Sequence, residues 1–439
     1  MTSDLAEQVR NAGVVGEGGA GFPAHVKVAA KVEIVILNGA ECEPLLRVDQ
    51  QLMARHATEI VRAMRRVMDR TEAKKGYIAL KYKYKHAIAA AREAADGRAI
   101  EVFILPDFYP AGDEFVLTYE VTGRVIRERG IPIDVGVLVH NVGTMRDIDQ
   151  AARGRPVTRK HVTVTGGVRN PITVELPIGT SFADAIELAG GPIVPSPVAI
   201  DGGPLTGKVT TDLDTPIVKT TSAIVVLPSN HSYIRRRLQS FDEIVRQAKV
   251  ACIQCSMCTD VCPRYFLGHS LRPHMVMRDV AYNPERTFAE VTYAQICCDC
   301  GLCDMWACPM DISPRITNML IKDVQLKNGV KHKPEPLRGI HPLRENRKVP
   351  VGRLIYRLGM AEYNLPAPLT EVDFRPRRVV IPLQQHIGAP AVPVIQVGNR
   401  VAEGDLIADI PEGALGAKIF ASMDGRVTRI EDTIRIEAE

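Results

Sequence analysis

The octapeptide GEGGAGFP, Gly16 to Pro23, poses the first structural choice. Gly16, Gly18 and Gly21 fit G-x-G-x-x-G, the spacing that lets a backbone approach a pyrophosphate closely. A dinucleotide fingerprint follows a strand and opens a helix. Here a short amphipathic helix over residues 4–12 precedes the loop, and the next apolar run, VEIVILN, comes only at Val32–Asn38. No Asp or Glu ends a second strand at the usual distance, so the context rejects the dinucleotide fold. Gly16, Gly18, Gly19 and Gly21 followed by Phe-Pro are more than a turn requires. A purely structural turn remains the alternative at this point.

Working outward, VEIVILN reads as a buried parallel strand. Residues 49–69 have helical spacing of Leu52, Ile60, Met64 and Val67. GYIALKYK (Gly76–Lys83) is a strand, HAIAAAREAA (His86–Ala95) a helix, and AIEVFIL (Ala99–Leu105) a third strand. This alternation predicts an α/β sheet with helices on its faces. The texture changes near Pro156, where short β-runs, glycine turns and one short helix suggest a β-grasp domain. Around the cysteines, residues 241–319 read as mostly helical. KHKPEPLRGIHPLRENRK (Lys331–Lys348) reads as a solvated basic linker, with an acidic docking surface as its alternative. From Arg377 onward, β-runs between glycine turns resemble the barrel-sandwich hybrid of biotinyl and lipoyl domains. The carrier lysine's place falls near Ala414, and Lys418 lies too close to the next strand, so the barrel is read as unmodified.

A chain of 439 residues with 46% apolar side chains is expected to hold two to four soluble domains. Its 55 basic and 51 acidic side chains leave a net charge of +4, which calls for no nucleic-acid partner. The N-terminal stretch shows no export signal, and IVIL (Ile34–Leu37) and AIVVL (Ala223–Leu227) are too short to span a membrane.

Nine of the ten cysteines lie between Cys252 and Cys308. Such crowding in a large chain argues for metal rather than disulfides. Cys252, Cys255, Cys258 and Cys262 fit C-x2-C-x2-C-x3-C-P, in which three thiolates hold one cubane and the fourth crosses to the neighbouring cluster. Cys297, Cys300, Cys303 and Cys308 repeat the pattern with one extra residue before the last cysteine. The expected sets are therefore Cys252, Cys255, Cys258 and Cys308 for one [4Fe–4S] cluster, and Cys297, Cys300, Cys303 and Cys262 for the other. Cys298 is left over, and choosing Cys297 above it rests only on the spacing to Cys300. Zinc is the alternative, though zinc ribbons favour two separated C-x2-C knuckles. Cys42 reads as a buried or loop thiol.

GEGGAGFPAHVK followed by ILNGAECEPLLRVDQ resembles the N-terminal flavin domain of the RnfC/PduS family. More distantly it is similar to the flavin-bearing subunit of respiratory complex I, with its GRGGAGFP and NADEPEP motifs. YPAGDEFVLTYEVTGRVIRERGIP (Tyr109–Pro132) and GVLVHNVGT (Gly136–Thr144) agree, and the resemblance covers nearly the whole chain. The fold class it implies is multidomain α/β. A Rossmann-like flavin domain (1–155) precedes an SLBB β-grasp domain (156–235) and a helical bacterial-type ferredoxin domain with two [4Fe–4S] clusters (236–325). A basic linker (326–376) and the hybrid barrel (377–439) complete the chain. The flavin domain comes first and the barrel last, the order of PduS-type cobalamin reductases rather than of RnfC.

The same resemblance implies FMN as cofactor and NADH as substrate. Gly16, Gly18, Gly19 and Gly21 would wrap the FMN through backbone N–H groups, and Lys27 would meet its phosphate. Asn38 and Glu41 would lie by the ribityl chain or ring, with Asn141 and Thr144 on the phosphate side. Asn141 also reads as a helix N-cap, and Glu41 and Glu43 as a solvated acidic turn. Phe22 would stack on the NADH adenine, with Glu43 and Glu114 toward its ribose or nicotinamide. Tyr109, Gly112 and Asp113 fall in a loop over the flavin. Hydride transfer needs stacking rather than an acid or base, so no catalytic triad is expected. The implied acceptor is cobalamin, reduced for a diol dehydratase in the cytoplasm, inside a bacterial microcompartment. A shell protein or an adenosyltransferase would be further partners. The competing readings are an RnfC-like electron-input subunit serving a redox partner protein, and a cluster scaffold without flavin.

Overall fold

The computed structural model describes residues 4–95 and 99–439. Met1–Ser3, the start of the stretch read for an export signal, lie outside the described residues. The chain opens with α1 (Leu5–Asn11), the glycine loop and α2 (Ala24–Val28). At five residues α2 is too short to announce itself by periodicity. Then follow β1 (Ile34–Gly39), α3 (Val48–Thr71), β2 (Lys75–Lys81), α4 (Lys85–Ala95) and β3 (Ile100–Leu105). The short β4 (Phe108–Tyr109), α5 (Glu114–Thr122), β5 (Val137–Asn141) and α6 (Val142–Ala151) complete the first domain.

Its sheet runs β3-β2-β1-β5, with every neighbouring pair parallel. Val35, Ile36 and Leu37 have no solvent exposure, as a strand covered on both faces requires. Leu52, Ile60, Met64 and Val67 of α3 are buried, which is the face their spacing predicts. After β1 the chain steps outward through β2 and β3, then returns to the other side of β1 with β5. The carboxyl ends of β1 and β5 therefore flank a topological switch point, where open α/β sheets form their ligand crevice. Asn38 and Asn141 sit side by side in register at that point.

The second domain has β6 (Arg159–Gly166), β7 (Ile172–Pro177), α7 (Phe182–Leu188), β8 (Pro197–Asp201), β9 (Lys208–Thr210) and β10 (Ala223–Pro228). Strand order is β7-β6-β10-β8-β9 with β10 parallel to β6, the expected β-grasp. The cysteine domain is carried by α8 (Ser232–Arg237), α9 (Phe241–Ala251), α10 (Pro263–Phe266), α11 (Pro273–Tyr282), α12 (Pro284–Glu290) and α13 (Pro314–Lys327). A Ser240–Glu243 capping box starts α9, satisfying N–H groups that the first turn leaves open.

The expected solvated linker is corrected by the structure. His332 Nε2 lies 2.9 Å from Glu128 Oε2, and Arg344 and Lys348 both pair with Glu120 of α5. The His341 N–H donates to Phe266 O at 3.0 Å. β11 (Val349–Pro350) then pairs with β4, and α14 (Val351–Arg357) packs its Val351, Leu354 and Ile355 inward. The segment is a strap across the flavin domain, because the first domain supplies the carboxylates that its basic side chains need.

The last domain comprises β12 (Arg378–Pro382), β13 (Val392–Pro393), β14 (Arg400–Val401), β15 (Leu406–Asp409), β16 (Ile419–Phe420), β17 (Gly425–Ile430) and β18 (Thr433–Glu437). They form two sheets, β12-β18-β17-β14 and β13-β15-β16. Lys418 directly precedes β16, as expected of a residue that is not a carrier lysine. Val379, Ile381 and Ile419 share one core with Val9, Ala24 and Val28, so the barrel is packed against the start of the chain.

Candidate functional site

The glycine loop is shaped by close approaches. The Gly16 N–H donates to Phe22 O at 2.9 Å and closes the loop on itself. This corrects the expectation for Gly16, whose N–H is not free to face a ligand. A Cβ at Gly18 would lie 3.3 Å from Asn141 Cβ, whereas one at Gly19 would meet nothing within 4 Å. The loop's open side therefore lies at Gly19. Gly21 has φ +72° and would place a Cβ 3.0 Å from His386 Cα of the barrel and from Thr220 Cγ2 of the β-grasp domain. Only glycine tolerates that combination. The N–H groups of Gly18 and Gly19 have no hydrogen-bond partner among the described residues. Phe22 is half-buried at the end of the loop.

Opposite the loop, Asn141 caps α6 by accepting the Gly143 N–H at 2.7 Å, and its Nδ2 donates to Asp49 at 2.7 Å. The N-cap alternative for Asn141 is thus what the backbone shows. Thr144 Oγ1 accepts the Glu17 N–H at 2.9 Å. Lys27 Nζ donates to Glu114 Oε1 at 2.8 Å and to Val139 O at 3.2 Å. Lys27, Asn141 and Thr144 thus gather at the end of β5 and the start of α6, whose partial positive charge favours an anion. Asn38 Nδ2 holds Gly112 O at 2.9 Å, and the Gly112 N–H donates to Cys42 Sγ at 3.3 Å, so the 109–113 loop is laced to β1. Burial pushes the Cys42 thiol up to about 12, in keeping with a buried neutral thiol.

Two expected ligand residues are engaged elsewhere. Glu43 accepts the Leu205 and Thr206 N–H groups at 2.9 Å each, the Thr206 hydroxyl at 2.7 Å and the Tyr109 hydroxyl at 3.3 Å. It joins the flavin and β-grasp domains and does not line the open side of the loop. Asp113 caps α5 and makes a two-pronged ion pair with Arg264 of the cysteine domain, at 2.6 and 2.9 Å. Tyr109 is buried and packs in one apolar core with Leu205 and Leu302, against Cys300.

Behind the loop lies a charge cluster of which the sequence reading included only Glu41. Lys160 pairs with Glu17 inside the glycine loop, and Glu17 in turn faces Asp147. Desolvation, then the charge of Glu41, holds the Asp49 carboxyl well above the usual range. Glu41 accepts the Asp49 N–H at 3.1 Å through Oε1, and its Oε2 is buried without a partner. Lys219 donates to Gly13 O at 2.7 Å, and burial pushes its ammonium down to about 7. An acidic residue inside a glycine-rich loop was the available signal, and it pointed to Glu17.

The cysteines line two separate cavities. Cys252, Cys255, Cys258 and Cys308 share one, with Ile253, His274 and Met277 among its walls. Cys262, Cys297, Cys300 and Cys303 share the other, together with Cys298. Cys308 thus lies with the first motif's cysteines and Cys262 with the second's, the placement that a crossover between the motifs calls for. No three His, Cys, Asp or Glu side chains among the described residues converge on a point as one ion requires. Thiols spread around a cavity wall suit a polynuclear centre instead. Cys297 Sγ accepts the Asp299 N–H at 3.4 Å, and Cys308 Sγ accepts the Ile312 N–H at 3.3 Å. Cys298 leans on Cys300 and faces Arg264. Burial pushes the Cys258 and Cys262 thiols up to about 12, so binding iron must displace their protons.

The donor set fits the cofactors. Open N–H groups, a lysine and a helix N-terminus suit the phosphate of FMN, and the unpaired Glu41 oxygen suits a hydroxyl-rich chain beside it. The architecture is that of a flavin and iron–sulfur electron-transfer protein. Family models agree: the Nuo51 FMN-binding domain matches residues 9–150, and the SLBB domain 161–208. The 4Fe-4S dicluster domain matches 251–313, and the RnfC barrel sandwich hybrid domain 366–439. Cobalamin reductase PduS of Citrobacter freundii is 45% identical over 98% of this chain and 95% of its own length. The protein of the same name from Salmonella typhimurium is also 45% identical, with the same coverage of both chains. An NAD+-reducing [NiFe]-hydrogenase in the H2-reduced state shares the fold. Its TM-score is 0.50 at 19% identity, over 75% of this chain and 62% of that one. The chain belongs to the PduS family within the RnfC-related flavoproteins. Its cofactors are FMN and [4Fe–4S] clusters, and it is an NADH-dependent oxidoreductase. Among the described residues, no helix is long and apolar enough to cross a membrane.

Proposed function

We propose that the chain is a cobalamin reductase, taking electrons from NADH and delivering them one at a time to a corrin. The observation that carries this reading is the union, in one chain, of a crevice at a sheet switch point with two cysteine-lined cavities. FMN accepts a hydride and releases single electrons, so it belongs between NADH and the clusters. In the protein itself, Gly18 and Gly19 offer N–H groups to the flavin while Gly16 and Gly21 shape the loop. Lys27, Asn141 and Thr144 hold the phosphate end, and Asn38, Glu41 and Gly112 flank the flavin's ribityl side. Lys27 exchanges Glu114 for the phosphate, which frees Glu114 for the NADH ribose. Phe22 is the platform for the adenine. Tyr109, Glu43 and Asp113 act on the far side, where they join the flavin domain to its neighbours. The ligands of the two clusters are Cys252, Cys255, Cys258 and Cys308, and Cys262, Cys297, Cys300 and Cys303. The protein works inside a bacterial microcompartment beside a cobalamin-dependent diol dehydratase, with a shell protein or an adenosyltransferase as partner.

The test is anaerobic. NADH added to the reconstituted chain is expected to bleach flavin and clusters, and hydroxocobalamin added next is expected to reoxidise them as the corrin is reduced. Bleaching without corrin reduction would sink the cobalamin reading in favour of an electron-input subunit. Phe22→Ala is expected to raise the KM for NADH with flavin retained, whereas Lys27→Ala lowers FMN content.

A further inference from the structure

The two cysteine cavities occupy different surroundings. Cys262 packs on Leu271 and Ile296 of the cysteine domain itself, but beside Cys300 the neighbours come from other domains. Cys300 packs against the core that holds Tyr109 of the flavin domain and Leu205 of the β-grasp domain. A Cβ at Gly301 would lie 3.0 Å from Leu205 O, so the motif and that domain meet at backbone distance. Around Cys252 and Cys308 the apolar neighbours are Ile244, Ala248, Met277 and Ile312, all from the cysteine domain itself. That side opens to solvent: Cys255 is exposed, as are Ile253 at 66% and Met257 at 47%.

One side chain ties the buried cavity to the flavin domain. Arg264 follows Cys262 by two residues, and its side chain is 7% exposed. Its guanidinium meets Asp113 with two hydrogen bonds of 2.6 and 2.9 Å and stacks 3.9 Å above the Phe115 ring. Along the chain it stands two residues from Cys262, which lines the second cavity together with Cys298. Asp113 is itself fixed, because it accepts the Phe115 and Val116 N–H groups at 3.1 Å. A rigid, planar, permanently charged group thus fixes the chain beside Cys262 to the loop that follows β4.

We propose that Arg264 is a positioning residue that makes the Cys262, Cys297, Cys300 and Cys303 site the electron intake, docked on the flavin domain through Asp113. The open Cys252, Cys255, Cys258 and Cys308 site is the outlet. The inference rests on the functional reading above. One NADH gives up a hydride, becoming NAD+; the two electrons pass singly to the two sites, and the proton goes to solvent. A [4Fe–4S] centre gains negative charge on reduction, so the nearby cation favours its reduced form, and Asp113 tempers that effect.

Opposite charge changes on the pair give the test. Midpoint potentials of both clusters would be measured by electron paramagnetic resonance in Arg264→Gln, Arg264→Lys and Asp113→Asn, with iron and FMN contents determined alongside. Asn at 113 keeps the helix cap while exposing the arginine charge. The expected result is a lower potential for the intake cluster in Arg264→Gln, a higher one in Asp113→Asn, and near-recovery in Arg264→Lys, with the outlet signal unmoved. Shifts of the same sign in Arg264→Gln and Asp113→Asn, or none, would overturn the role of Arg264. Order is read separately. In Cys300→Ser the outlet cluster should still be reduced by dithionite but not by NADH, and in Cys255→Ser the intake cluster should be reduced by both. The reverse pattern overturns the proposed order. If NADH reduces no cluster in the unaltered chain while dithionite reduces both, the functional reading fails before this one is reached.

Discussion

The cysteine cavities and the glycine loop hold their cofactors on opposite plans. Each cavity is walled by ligands from two short motifs of one domain, so its geometry is set largely within residues 252–308. The glycine loop is closed by three domains: Asn141 and Thr144 from its own, Lys160 and Thr220 from the β-grasp domain, and His386 from the barrel. A site made of local ligands is robust to distant change. A site made of contacts between domains should fail when any one of them moves.

The largest effect is expected from Cys303→Ala. It should remove one cluster and half of the bound iron, measured by iron analysis and resonance spectra, while FMN content holds. Loss of flavin as well would break the contrast. Gly21→Val comes next, because a β-branched side chain at φ +72° carries strain of about 1–3 kcal/mol before the 3.0 Å approach to His386 is counted. FMN content should fall several-fold with iron unchanged. Glu43→Gln should lower stability by about 1–3 kcal/mol, because its amide NH2 would confront N–H donors that now meet a carboxylate. Thermal unfolding measures it. The smallest effect is a slope. Folding takes Lys219 from its ordinary pKa of about 10.4 to about 7. Between those values the unfolded chain holds a proton that the folded chain lacks, so this group makes stability rise with pH across that window and adds no slope below it. Lys219→Met should remove that rise, read from denaturant unfolding at several pH values. An unchanged slope would show that Lys219 is charged when folded.

These two plans also explain what was legible in the sequence. Three cysteines at intervals of three residues carry their own geometry, so the cysteines that face each cavity could be grouped before any tertiary contact, whereas Cys297 and Cys298, which line the same one, could not be told apart. The sheet was readable too, because Val35, Ile36 and Leu37 need cover on both faces wherever they lie. The loop was readable as a nucleotide site but not in its partners. Glu43 and Asp113 stand in the right motifs, yet their partners Leu205 and Arg264 lie 162 and 151 residues away. The basic strap looked solvated for the same reason: Glu120 and Glu128, which neutralise it, belong to another domain.

The shared core of barrel and N-terminus has a bearing on biosynthesis. Val9, Ala24 and Val28 are synthesised well before Val379, Ile381 and Ile419, which complete their packing. Lys219 holds Gly13 O and Lys418 O together across the same seam. Vectorial folding, domain after domain, cannot finish this protein. The barrel's contact with the flavin loop, from Ile387 N–H to Gly21 O at 3.3 Å, forms only once the barrel has been made and has docked.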